Sequence, residues 1–229
     1  MARAVLFDID GTLIRTGGAG VKAFAMAGET AFGISNGTAH MKFAGRTDTG
    51  LVREFLELHS LETSPTNINL FLDAYVFWLE HMLQQCHGAI CPGVIRFIQE
   101  LRALPNPPLI GLLTGNIRLG AEIKLRHYGL WDEFETGAFA DDHEDRNQIA
   151  ADAHRRLRQR LQTDLPGEQI VVIGDTPHDI RCGRHIGAKV LAVATGGAAF
   201  EEIQQHAPNW CVADLRSVSA AEICNFAKA

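Results

Sequence analysis

The chain has 229 residues, 46% of them hydrophobic, and its 21 basic and 27 acidic side chains leave a formal charge of −6. That length fills one large domain or two unequal ones. The acid excess, with no basic run, argues against a nucleic-acid partner. The nearest thing to a membrane span, Ile68 to Leu83, is interrupted by Asn69, Asp73, Glu80 and His81.

Residues 3–8 read as a short buried strand, and its opening "MARAVLFDID" has too short an apolar run for a secretory signal. The strand runs into "DIDGTL" at 8–13, placing Asp8 and Asp10 at its end. Residues 18–88 then carry helical patterns and no strand. Leu51, Val52, Phe55 and Leu56 form one stripe, and Ile68, Leu72, Tyr75, Leu79, Met82 and Leu83 another. This insert is reached and left through "TGGAG" at 16–20 and "HGAICPG" at 87–93, glycine-rich crossings that can serve as hinges. "PLIGLLTG" at 108–115 is a second buried strand, and 117–128 a helix. Another helix covers 148–161, where Ile149, Ala153, Leu157 and Leu161 recur every four residues. "QIVVIGDTP" at 169–177 and "KVLAVATGG" at 189–197 complete four predicted strands. Continuous apolar runs alternating with helices indicate an α/β, doubly wound parallel sheet, a Rossmann-like core built from 1–17 and 89–229, with a small helical domain, 18–88, inserted after the first strand.

The ends of these strands carry the chemistry. In an open parallel sheet, ligands bind beyond the carboxyl ends of the strands. Asp8 and Asp10, Thr114, and Asp175 with Asp179 all fall there. Four acids at one rim repel one another unless a cation neutralises them, and hard oxygen donors in that number suit a divalent ion such as Mg²⁺ beside a phosphate-bearing substrate.

"DIDGTL" at 8–13, "LLTGN" at 112–116 and "GDTPHD" at 174–179 resemble three of the four signature motifs of the haloacid dehalogenase-like hydrolase superfamily, in its order and spacing. The helical insert resembles that superfamily's small cap domain, and the chain is most similar to the phosphoglycolate phosphatase-like branch. The resemblance implies that Asp8 is the nucleophile that forms an aspartyl-phosphate and that Asp10 is the general acid/base, with its backbone carbonyl on the metal. It implies that Thr114, with backbone N–H groups around Gly115 and Asn116, binds the phosphoryl group, and that Asp175 and Asp179 complete the metal site. The superfamily's third-motif lysine is missing from "DDHEDRNQIA", so Arg146 is its expected replacement, binding phosphate and Asp8 together. In the cap, "FAGRTD" places Arg46 where it would meet a carboxylate on the substrate's far end, with Lys22 a lesser candidate.

Other features read as structural. The ten histidines show no metal-ligand spacing, and His178 reads as a helix-start residue. The arginines of "HRRLRQR" at 154–160 form a solvated face, "TGGAAF" at 195–200 has a structural or indirect role, and Trp78, Trp131 and Trp210 are core or rim residues. Five cysteines without a CxxC pair point to reduced thiols and a cytoplasmic location. The expected activity is therefore Mg²⁺-dependent hydrolysis of a small-molecule phosphate ester, with phosphoglycolate as the first candidate, by a monomer or homodimer with neither nucleic acid nor membrane as partner. A phosphomutase of the same fold and a non-enzymatic phospho-ligand binding module are the alternatives. A dehalogenase is disfavoured, because that chemistry needs neither Asp10 nor a metal.

Overall fold

A computed structural model describes residues 1–225 of the chain. β1 (Ala4–Phe7) is buried at all four positions and is followed by the two-residue β2 (Ile14–Arg15). Three helices come next, α1 (Ala19–Phe32), α2 (Asp48–Leu58) and α3 (Pro65–Gln85). β3 (Ala89–Ile90) then pairs antiparallel with β2, Ile14 opposite Ile90 and Arg15 opposite Ala89. The chain continues as α4 (Val94–Arg102), β4 (Leu109–Leu113), α5 (Arg118–His127), β5 (Thr136–Ala138), α6 (Arg146–Leu161) and β6 (Ile170–Gly174). It ends with α7 (Pro177–His185), β7 (Lys189–Val193), α8 (Phe200–Gln205), β8 (Trp210–Val212) and α9 (Ala220–Asn225).

Six strands form one parallel sheet in the order β5-β4-β1-β6-β7-β8. Alternation along each strand sends side chains to opposite faces, and both faces are covered. Val5, Phe7, Ile110, Leu112, Val171 and Ile173 pack against residues of α4, α5 and α9. Ala4, Leu6, Leu113, Ile170, Val172 and Val190 pack against α6, α7 and α8. Two-sided burial explains why the strands read as unbroken apolar runs. The four predicted strands correspond to β1, β4, β6 and β7. β5 and β8, at the two edges, have three residues each, too few for a readable pattern, so the sequence does not reveal them.

The inserted helices build a third hydrophobic cluster, which Ile117 and Ala140 of the sheet domain join. Phe24 of α1, Phe55 of α2, and Phe71 and Tyr75 of α3 meet with ring centroids 4.5–5.6 Å apart. Thr47 caps α2 by accepting from the Gly50 N–H, and Ser64 caps α3 ahead of Pro65 at its first turn. The glycine crossings have a steric reason. Gly17 adopts φ +63°, and a Cβ there would lie 2.3 Å from the His87 carbonyl oxygen, because the outgoing and returning chains run in contact.

Candidate active site

β1 lies at the middle of the sheet, with β4 on one side and β6 on the other, so chain connections depart in opposite directions from it and open a crevice at the carboxyl ends. Asp8, Thr114 and Asp175 follow these three adjacent strands directly. Asp179, in the first turn of α7, joins them. Oxygens of Asp8, Asp175 and Asp179 lie within 4.8 Å of one another, and all three residues are buried. Arg146, the first residue of α6, points its guanidinium into the group. Nη2 donates to Asp8 Oδ1 at 3.3 Å and to Asp179 Oδ1. Asp179 Oδ2 accepts from the Thr176 N–H at 3.0 Å and the Thr176 hydroxyl at 2.7 Å, which closes a capping box at the start of α7.

One arginine does not balance three buried acids. Burial, reinforced by Asp179, holds the Asp8 carboxyl well above the usual carboxylate range despite Arg146 beside it. Burial does the same to Asp175, with Asp179 and Asp8 adding to it. Arg146 is itself held more firmly protonated than usual: burial opposes its charge, but Asp179 and Asp8 outweigh burial. The group is a set of hard oxygen donors with excess negative charge, which fits a divalent cation. Its geometry is fixed closely. A Cβ on Gly196 would lie 1.5 Å from Asp175 Oδ2, and one on Gly11 2.4 Å from the same atom.

Asp10 departs from the expectation of four acids at one rim. Gly11, at φ +87°, turns the chain so that Asp10 faces α5 instead of the other carboxylates. Its Oδ2 accepts from Lys124 Nζ at 2.6 Å and from Asn116 Nδ2 at 2.8 Å. The Asp10 carboxylate is thus taken up by α5 and the loop after β4 and stands outside the Asp8–Asp175–Asp179 group. Asn116 also donates from Nδ2 to Thr114 Oγ1 at 2.8 Å, which leaves the Thr114 O–H free to donate.

The sequence reading missed Lys124, Asp48 and Tyr75. Lys124 lies in the last turn of α5 among basic residues that suit a helix C-terminus. Yet it shares the buried stripe of Gly120, Ala121 and Leu125. A lysine on an apolar stripe was the signal available. Asp48, the first residue of α2, accepts from the Ile117 N–H at 2.9 Å, and its own N–H donates to the Gly115 carbonyl at 2.7 Å, clamping the inserted helices to the loop after β4. Burial raises its carboxyl to about 6, with Lys124 pulling the other way.

A cavity of about 550 Å³ lies between the sheet and the inserted helices. Its floor holds Asp8 and Lys124, and its roof includes Phe24, Phe43, Leu51 and Arg46. Arg46 is ion-paired with Glu54 at 2.7 Å. Lys22 points to Cys86 Sγ at 3.5 Å and is exposed. Arg156, expected on a solvated face, instead grips Asp142 with both Nη atoms and donates to the Gly137 carbonyl. Thr195 supports the turn after β1, its hydroxyl donating to the Gly11 carbonyl at 2.5 Å.

The sequence pattern of the haloacid dehalogenase-like hydrolases matches residues 5–193. The chain belongs to this family. Among curated proteins, this haloacid dehalogenase-like hydrolase is similar to "Probable phosphatase IndB" of Dickeya dadantii, 24% identical across 96% of this chain and 94% of that one. It is also 24% identical, over 84% of its length, to the bifunctional riboflavin kinase/FMN phosphatase of Arabidopsis thaliana, of which it spans about half, 48%. Among solved structures, a predicted phosphoglycolate phosphatase from Haemophilus somnus superposes with a TM-score of 0.71 at 18% identity, covering 99% of this chain and 98% of that one. CbbY from Rhodobacter sphaeroides, in complex with phosphate, superposes with a TM-score of 0.68 at 20% identity, covering 86% and 88%. The protein is thus an enzyme, a haloacid dehalogenase-like hydrolase of the phosphatase kind. No helix among the described residues is long and apolar enough to cross a membrane, and the five cysteines are free.

Proposed function

We propose that the protein hydrolyses a small-metabolite phosphomonoester through an aspartyl-phosphate on Asp8, with Mg²⁺ as cofactor. The observation that carries this reading is the buried Asp8–Asp175–Asp179 group with its single arginine, set at the carboxyl ends of the strands. Asp8 attacks phosphorus while the ester oxygen departs with a proton from Asp10. Asp10 then takes a proton from the water that attacks phosphorus, the bond to Asp8 breaks, and inorganic phosphate leaves. The Thr114 hydroxyl, the Gly115 and Asn116 backbone amides and Arg146 hold the phosphoryl oxygens. Asp8, Asp175, Asp179 and the Asp10 carbonyl would hold Mg²⁺, which when bound would supply the positive charge that lets a carboxylate approach a phosphate. Residues 18–88 act as the cap over the cavity. Phosphoglycolate is the favoured substrate, on the motif resemblance and the predicted phosphoglycolate phosphatase among the structural neighbours.

The test is phosphate release from p-nitrophenyl phosphate and from a panel of phosphorylated metabolites. Turnover stops in EDTA and returns with Mg²⁺. Asp8→Asn lowers kcat by about 10⁴-fold or more, as removal of a covalent nucleophile does, while the circular dichroism spectrum is unchanged. Turnover that survives either treatment overturns the proposal.

A further inference from the structure

Lys124 is 4% exposed, and a buried ammonium persists only where its donors are used. Here they are. Nζ donates to Asp10 Oδ2 at 2.6 Å and to Asn116 Oδ1 at 2.6 Å, and it is hydrogen-bonded to the Tyr75 hydroxyl. Asp48 adds its charge nearby. The partners come from four places: the turn after β1, the loop after β4, and helices α2 and α3 of the insert. Asp10 is otherwise loosely held, with its side chain 42% exposed at the end of a strand. Lys124 and Asn116 both take Oδ2, which leaves Oδ1 for proton traffic.

We infer that Lys124 is a positioning residue for Asp10, fixing the acid/base carboxylate from the core while Tyr75 and Asp48 of the cap fix Lys124. This rests on the proposed role of Asp10. A purely structural lysine would need only the cap acid Asp48 as counter-ion. Its shortest contacts go instead to Asp10 and to the Asn116 amide that shares Asp10. Fixing a catalytic group this way matters because a misplacement of about 1 Å can cost about 10²-fold in rate.

The experiment compares wild type, Lys124→Met and Lys124→Arg in the full-length protein with Mg²⁺, using p-nitrophenyl phosphate and phosphoglycolate. A nitrophenolate leaves without needing a proton, whereas the glycolate oxygen needs one, and hydrolysis of the aspartyl-phosphate needs a base in both cases. In Lys124→Met, the first turnover of p-nitrophenyl phosphate stays within about threefold of wild type, and a burst near one nitrophenol per chain precedes a slow steady state. Turnover of phosphoglycolate falls about 10²-fold, the share that general acid–base catalysis supplies. Lys124→Arg recovers part of that loss. Should Lys124→Met fail to fold, Tyr75→Phe, which keeps the ring packing against Phe24, shows the same pattern at about tenfold or less. Equal loss in the first turnover with both esters, or no loss with either, overturns the inference alone. A wild-type protein that releases phosphate from no ester overturns the functional proposal, and this inference with it.

Discussion

The two halves of the cavity floor treat their carboxylates differently. Around Asp8, three buried acids share one arginine. Around Asp10, one half-exposed acid has a lysine and an amide to itself, and the lysine is further satisfied from the cap. The first half is complete only with additional positive charge, whereas the second is complete as it stands. Ligand should therefore change the stability of the Asp8 side and only the geometry of the Asp10 side.

The largest expected effect follows from removing the one cation the acids share. Arg146→Ala leaves Asp179 and Asp8 buried without a partner, which costs about 3–5 kcal/mol of stability in EDTA, read from urea denaturation. A loss below about 1 kcal/mol would mean the acids are already neutral by protonation. Gly196→Ala comes next, because the new methyl group claims the place of Asp175 Oδ2. Calorimetric titration should show Mg²⁺ binding weakened about 10–100-fold, the range for displaced support around a metal. Unchanged binding would remove Asp175 from the metal site.

The pH dependence sharpens the same contrast. Asp8 and Asp175 are raised in the folded state, so their protonated forms stabilise it, and that contribution is full in acid and lost as pH rises through the folded values. Asp48, at about 6, acts in the same direction. In EDTA the Tm should fall between about pH 5 and pH 8, and Mg²⁺ should flatten the fall because it binds the deprotonated acids. A Tm that climbs with pH in EDTA would contradict the charge imbalance. The smallest effect is expected at Arg46, which already has Glu54. Arg46→Ala should change Tm little and raise KM for phosphoglycolate less than about tenfold, since a partly exposed pair is worth about 1 kcal/mol or less. A larger rise, confined to carboxylate-bearing substrates, would show that the pair opens to receive them.

Asp8, Thr114 and Asp175 were legible because each ends an apolar run, and a parallel sheet places the ends of such runs together. Arg146 was suggested by the family resemblance, as the basic residue standing in for the missing third-motif lysine. Lys124 could not be assigned in the same way. Its position on the buried stripe of α5 is visible in the sequence, but its partners are 114 residues away at Asp10 and within the helical insert. The direction of Asp10 was hidden for a related reason, since it depends on one left-handed residue, Gly11, and on what lies across the turn. β5 and β8 were hidden because three residues pairing at an edge leave no period to read.

The short β2–β3 ladder has an evolutionary consequence. Arg15 and Ala89 are already neighbours across it, so everything between them is spliced into the sheet domain at a single point. Swapping that stretch for another helical cassette, or for a tight turn, requires no re-registration of the six-stranded scaffold. Descendants that exchange the insert would inherit Asp8, Thr114, Arg146 and Asp175 with the scaffold, but would have to supply anew what Tyr75 and Asp48 give to Lys124.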